Sequence, residues 1–88
     1  MVSEFFSALS LFLEGYGFYT RPFRATVGSG DCDGVYVYNV MGLVASLVLS
    51  GSGLGVYSLH IDELVDVSDP GSFFEVVRLI GGEKCHVP

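Results

Sequence analysis

The stretch GVYVYNVMGLVASLVLSGSGLGVYSL, residues 34–59, decides how the rest of this chain folds. It contains no charged side chain and no histidine, although acidic residues stand close to both of its ends. An uncharged run of this length exceeds the ~20 residues that a transmembrane helix needs. The stretch must therefore be a buried sheet, a buried helix or a membrane span.

The first part of the stretch has the pattern of a strand. Tyr36 and Tyr38 alternate with valines, and aromatic and β-branched residues are typical of strands. We therefore predict a strand over residues 35–40. Before it, the composition of residues 28–34 indicates a turn, and Asp33-Gly34 is a typical hairpin dipeptide.

The middle of the stretch is ambiguous, because the apolar residues of segment 41–50 also lie at helical spacing. We favour a strand over residues 43–49, since glycine-rich and β-branched surroundings disfavour a helix. A turn over residues 50–53 then leads to a strand over residues 55–61. The glycines at these turns precede strand-like sequence without a lysine, so we interpret them as hairpin turns and not as phosphate-binding loops.

The stretch is flanked by two predicted helices. The first begins after Ser3, a suitable N-cap, and ends at Gly15. Its apolar stripe comprises Phe5, Phe6, Leu9, Phe12, Leu13 and Tyr16. A strand follows over residues 19–27, and Pro22 places it at a sheet edge because proline cannot donate to a ladder.

On the other side, residues 62–69 are predicted to form an acidic connector with one helical turn. Asp69-Pro70 then begins the second helix, and Gly81-Gly82 ends it near Ile80. Its buried stripe comprises Phe73, Val76, Val77 and Ile80, with Glu75 and Arg78 outward. Residues 81–88 are predicted to be a loosely ordered tail.

The order of these elements predicts one small α+β domain over residues 1–88: an N-terminal helix, a three- to four-stranded antiparallel sheet and a C-terminal helix. Half of the residues are apolar and only 16% are charged, against a usual ~25%. So small a domain has a thin core. We therefore expect part of the apolar surface to be covered by another copy, a partner or lipid.

Several classes of function have no support in these residues. The formal net charge of −6, with only four Lys and Arg, disfavours nucleic-acid binding. No metal-ligand spacing is present, and no cofactor is expected. Cys32 lies between two aspartates, which raise a thiol pKa and weaken it as a nucleophile. We expect two reduced cysteines, Cys32 and Cys85, in a cytoplasmic protein that is not an enzyme.

The leading hypothesis is a small acidic protein–protein interaction module. Its sheet is apolar on both faces, and two short helices cover only one of them. We predict that Tyr36, Tyr38 and Val40 form a face through which the chain homo-oligomerises. Val35, Val37 and Met41 are assigned to the opposite face.

Two alternatives remain open. In the first, an inhibitor or antitoxin-like protein docks an acidic patch on a basic partner, since complementary charge selects partners. The candidate partner-binding residues are Asp62, Glu63, Asp66 and Asp69. In the second, the protein is membrane-associated, although the serines and glycines of residues 34–59 and the lack of flanking lysine or arginine disfavour a span.

Overall fold

The computed structural model describes residues 4–27 and 30–85, with all their side chains except those of residues 25, 27 and 82–85. The elements are α1 (Glu4–Glu14), β1 (Tyr19–Val27), β2 (Gly30–Asn39), β3 (Gly42–Ser50), β4 (Gly53–Tyr57), β5 (Asp62–Val65) and α2 (Ser72–Cys85). The predicted α+β class and the helix–sheet–helix order are confirmed. In the described part of the chain, the sheet has five strands where three or four were predicted.

The sheet is an antiparallel meander in the order β1-β2-β3-β4-β5, so each strand pairs with its neighbours in the chain. This order places β1 at an edge, as Pro22 predicted, and β3 at the centre. The other edge is formed by β5, a strand of four residues. Because every pairing is between consecutive strands, the sheet forms from short loops alone.

Both helices cover the same face of the sheet. From α1, Phe6, Leu9 and Leu13 are buried, and from α2, Val76 and Ile80. They meet alternate residues of the strands, which form one buried cluster with them: Val35, Val37, Ala45, Leu47, Leu54, Val56 and Val65. The predicted assignment of Val35 and Val37 to one face is thus consistent with their burial, whereas Met41 lies outside the strand.

The two helices contact each other through aromatic rings. Phe73 of α2 lies 5.6 Å from Phe5 and 5.5 Å from Phe12, measured between ring centroids. Phe74 meets Phe12 edge to face at 5.1 Å. Phe5 and Phe12 are only half-buried. The most buried side of α1 therefore lies slightly to one side of the centre of the predicted apolar stripe. The predicted N-cap, Ser3, lies outside the described residues.

The predicted turn at Asp33-Gly34 is wrong. Asp33 pairs with Arg24 and Gly34 with Phe23, both within the β1–β2 ladder. The register continues as far as Val27 opposite Gly30, so β2 begins four residues before the predicted turn ends. Cross-strand pairing therefore overrode the local turn preference of this dipeptide.

The end of β2 also differs from its prediction. The strand ends at Asn39, whose side-chain Oδ1 accepts a hydrogen bond from the Met41 amide at 2.7 Å. Val40 and Met41 consequently form the turn between Asn39 and Gly42, and Val40 is 88% exposed. The prediction that Val40 belongs to the strand is wrong. The hydrogen bond that the Asn39 side chain accepts stabilises the turn that ends the strand.

The ambiguous segment 41–50 is a strand over Gly42–Ser50, as favoured. Its pairing with β2 shifts register between Val37 and Tyr38, where a β-bulge is formed. A bulge bends and twists a strand locally. It lies at the end of the sheet where β3 extends past β4.

The C-terminal predictions need two corrections. The expected strand over residues 55–61 is shorter, Gly53–Tyr57, and the supposed connector holds a strand, Asp62–Val65. Helix α2 continues through Gly81-Gly82 to Cys85, so these glycines do not end it. Part of the predicted loose tail, residues 81–85, is thus helical, and the rest lies outside the described residues. Glu75 and Arg78 point outward, as expected, and they also form an ion pair.

Candidate interaction surface

The face of the sheet opposite the helices, here called the open face, is the main candidate site. Successive side chains of a strand point to opposite faces, so the burial of Val35 and Val37 directs Tyr36 and Tyr38 away from the helices. Residues paired across strands share a face, which extends the assignment over the whole sheet. The larger side chains of the open face are Tyr19, Arg21, Phe23, Tyr36, Tyr38, Leu43, Val48, Tyr57, Asp62 and Leu64.

These side chains are exposed to a degree that is unusual for such large apolar groups. The exposed fractions are 57% for Tyr19, 37% for Tyr36, 60% for Leu43, 44% for Tyr57 and 58% for Leu64. No described helix or loop covers them. Contiguous apolar patches of this kind mark interaction sites on soluble proteins.

Two glycines let aromatic rings lie close to the open face. A Cβ atom at Gly34 would stand 2.5 Å from the Phe23 ring, and one at Gly55 would meet the Tyr57 ring. The Phe23 ring stacks on Tyr36, with centroids 4.3 Å apart and planes inclined by 24°. The rings therefore lie over the glycine backbone, and they protrude little from this part of the sheet.

Charge is almost absent from the open face. Among the described side chains of the strands, only Arg21 and Asp62 bring formal charge to it, and they lie on the two edge strands. The other charged strand residues alternate with those of the open face and therefore point to the helix-covered side: Arg24, Asp31, Asp33 and Glu63. The open face is therefore neutral in a chain whose net charge is −6.

The predicted acidic patch is not one face of a helical turn. Asp62 and Glu63 are consecutive strand residues and point to opposite sides of β5. Asp66 and Asp69 each accept a backbone hydrogen bond in the connection to α2: from Ser68 at 2.9 Å and from Gly71 at 2.8 Å. These two carboxylates stabilise turns, and the structure does not bring all four acids together on one surface.

One of these acids gives a pH-dependent prediction. Hydrogen bonds from the Ser68 hydroxyl and then the Ser68 amide hold the pKa of Asp66 below its ordinary value. Because the folded-state pKa is the lower one, the ionised carboxylate stabilises the fold above the unfolded-state pKa. That contribution is lost as the pH falls through the folded-state pKa. An NMR titration of the Asp66 carboxyl carbon should find the depressed value, and Ser68→Ala should raise it.

The matched control for this titration is Ser58→Ala, which removes another turn hydroxyl, hydrogen-bonded at 3.2 Å to the His60 amide. It should leave the titration of Asp66 unchanged. An Asp66 pKa at or above the ordinary value would contradict the assignment.

A second concave feature is an apolar cleft of about 540 Å³ between β3, the β4–β5 turn and α2. It exists because the β3–β4 ladder stops at Ser46 opposite Tyr57, so the first residues of β3 have no partner in β4. Val44 and Leu79 are among its apolar lining residues. The side chains of Asn39 and Ser58 face the cleft, but both accept turn amides. Ser46 and His60 complete the polar part of its lining, and the rest of the lining is mainly apolar.

Among the described side chains, Cys32 and His60 are not brought together for thiol or metal chemistry, and the side chain of Cys85 lies outside the described part of the chain. Cys32, half-buried, pairs with Ala25 near one end of the sheet, whereas His60 lies in the β4–β5 turn at the other end. The described residues contain no group of three or more His, Cys, Asp or Glu side chains that could hold a metal. Neither helix in the described part of the chain is long and apolar enough to cross a membrane.

Sequence reasoning placed Tyr36 and Tyr38 on an uncovered face but did not include Tyr57 and Leu64. Both lie on strands whose bounds were misjudged, and the alternation of Leu64 with the buried Val65 is the signal that could have identified the second one. Comparisons with models of known families, with curated proteins and with solved structures found no match for this chain.

Proposed function

We propose that this protein is a small, acidic, non-enzymatic interaction module that forms a homodimer through the open face of its sheet. The observation that carries the proposal is the exposure of an aromatic sheet face that neither helix covers. Covering such a face removes apolar area from water, which stabilises the complex by roughly 25 cal/mol per Å² of buried apolar surface. A second copy supplies a face of the same chemistry.

The size of the open face supports a dimer. Five strands at ~4.8 Å spacing give a width of about 24 Å, and β1 to β3 carry four rows of side chains over about 20 Å, of which two rows continue across β4 and β5. Two such faces bury at most on the order of 1,000 Å² in total, which is near the lower bound for a specific interface. Two packed sheets would then form a sandwich with the helices outside, an arrangement common to many β-sandwich cores.

The distribution of charge favours a second copy over an acidic or basic partner at this face. Two chains of net charge −6 repel each other at long range. The open face, however, is neutral, so contact there leaves most carboxylates on the outer sides of the dimer. A strongly basic partner would find only Asp62 to pair with on this face.

The oligomeric state tests the proposal. Sedimentation velocity at micromolar concentration should show a dimer, and Tyr36→Ser should raise the dimer dissociation constant about 10-fold or more. Buried interface aromatics often carry over ~1 kcal/mol each, which corresponds to a change of this size.

The matched control is Tyr16→Ser, because Tyr16 is also exposed, at 51%, but lies in the turn after α1 with its ring 5.4 Å from that of Phe12. This variant should dimerise as the unmodified chain does. The proposal would be overturned if the chain stays monomeric from micromolar concentration to concentrations 100-fold higher and binds no apolar dye.

A further inference from the structure

We infer that the dimer has its two-fold axis parallel to the central strand β3, so that Arg21 of each copy pairs with Asp62 of the other. This inference rests on the proposed function and adds the geometry of the interface. Its basis is the register of the sheet. One row of the open face reads, from edge to edge, Arg21, Tyr36, Ser46, Tyr57 and Asp62.

This row is complementary to its own reverse. Rotation by 180° about an axis along β3 exchanges β1 with β5 and β2 with β4 between the facing copies. Ser46 then faces Ser46 of the second copy, and Tyr36 faces Tyr57. At both edges an arginine meets an aspartate, since the exchange brings Arg21 over Asp62 twice.

The next row repeats the symmetry in the sizes of its side chains. It reads Phe23, Gly34, Val48, Gly55 and Leu64. The same rotation places Val48 on itself, glycine on glycine, and Phe23 on Leu64. Each glycine lies beneath an aromatic ring, Phe23 on one side of β3 and Tyr57 on the other. The two halves of the face therefore have matching relief, as an isologous interface requires.

The charges distinguish this axis from the other axis in the plane of the sheet. A two-fold axis perpendicular to the strands that crosses the row from Arg21 to Asp62 would place β1 over β1 and β5 over β5 within this row. Arginine would then approach arginine at one edge, and aspartate would approach aspartate at the other. Like charges across an interface are costly, whereas opposite charges select the partner and its orientation. The axis along β3 gives two attractive pairs and no repulsive one.

The pairing can form only between copies. Arg21 and Asp62 are exposed, and neither makes an ion pair within the described residues of one chain. They lie on the two edge strands, four strand spacings or about 19 Å apart. Any energetic coupling between them therefore reports contact in a dimer.

A charge-reversal experiment tests this geometry. Arg21→Glu alone and Asp62→Arg alone each create two like-charge contacts, and each should weaken homodimerisation about 10-fold or more. An equimolar mixture of the two variants restores both pairs in the heterodimer, which should form with a dissociation constant within about 3-fold of the unmodified chain. The double variant Arg21→Asp with Asp62→Arg should likewise dimerise by itself.

Two variants on the same strands are matched controls. Arg24→Glu and Glu63→Arg make the same changes of charge on the opposite, helix-covered side of these strands. Arg24→Glu also breaks the exposed ion pair of Arg24 with Asp33 at 3.4 Å, so circular dichroism checks that this variant is folded. They should change the dissociation constant less than about 3-fold, and their mixture should show no preference for the heterodimer. Raising the salt concentration should reduce the effect of Arg21→Glu, since screening shortens the range of charge interactions.

The outcomes distinguish failure of the proposed function from failure of the axis along β3. An unmodified chain that stays monomeric overturns the proposed function and this inference with it. If the unmodified chain dimerises and Tyr36→Ser weakens the dimer, but neither single charge reversal does, the open face is the interface and the axis along β3 is wrong. With the perpendicular axis, the unmodified dimer already has two repulsive contacts, so a single reversal leaves their number unchanged and the mixture associates more tightly than the unmodified chain. Failure of the mixture to recover association after both single variants have weakened the dimer also overturns the axis along β3.

Circular dichroism of each single variant shows whether it is folded. If a single variant is not, the double variant is mixed with the unmodified chain: the axis along β3 predicts no heterodimer, because aspartate would face aspartate and arginine would face arginine, whereas the perpendicular axis predicts a preferred heterodimer.

Discussion

Leu9→Ala should lower the free energy of unfolding by about 3 kcal/mol or more and leave the protein close to the limit of folding. Leu9 is completely buried between α1 and the sheet, and it belongs to the single core cluster. Truncation removes the transfer free energy of its side chain and leaves a cavity, a combination that costs ~2–5 kcal/mol. A small domain is stabilised by only ~5–15 kcal/mol in total. Urea denaturation followed by circular dichroism measures the loss.

The matched control lies two residues away on the same helix. Leu11 is 71% exposed, so Leu11→Ala removes the same atoms without opening a cavity. Alanine is also the better helix former, and the unfolding midpoint should change by less than the equivalent of ~0.5 kcal/mol. Equal losses for the two variants would contradict the described packing of α1.

Gly34→Ala should destabilise the protein by roughly 1–3 kcal/mol, although it adds only one methyl group. That methyl carbon would stand 2.7 Å from the backbone oxygen of Leu47 and 2.5 Å from the Phe23 ring. The ring can rotate, but the Leu47 carbonyl belongs to the central strand and cannot withdraw without disturbing the ladder. Overpacking of this kind costs ~1–3 kcal/mol.

Gly30→Ala is the control on the same strand. A Cβ atom at Gly30 would meet nothing within 4 Å, so alanine should be neutral or stabilise the protein by up to ~1 kcal/mol through the unfolded chain. Thermal unfolding of both variants at one protein concentration separates the two effects. Stabilisation by Gly34→Ala would show that Phe23 does not lie over this glycine.

The sequence correctly indicated the elements whose signal is local and periodic. The apolar spacing of α1, Pro22 at an edge strand and the tyrosine–valine alternation of β2 each follow from the geometry of a single element. The same alternation placed Tyr36 and Tyr38 on one face before any pairing was known. Such patterns repeat within a few residues, and distant contacts do not change them.

The errors arose where a distant contact outweighed a local preference. Asp33-Gly34 has the composition of a turn, but the glycine is needed beneath the Phe23 ring. Asp62–Val65 resembles a loop by charge, but its backbone pairs with β4 and Val65 is buried. Gly81-Gly82 resembles a helix end, but the cost of glycine in a helix is only ~1 kcal/mol per residue. The stabilisation gained from packing elsewhere in α2 can exceed that cost.

The sequence by itself determined the fold class, the order of helix, sheet and helix, and an excess of apolar surface for so small a core. Only the tertiary structure decided which residues form the open face and how they line up across five strands. The row from Arg21 to Asp62 depends on four strand pairings. A shift of one residue in any one of them would place Arg21 and Asp62 on opposite faces of the sheet. Register is a property of pairs of strands, and no single strand encodes it.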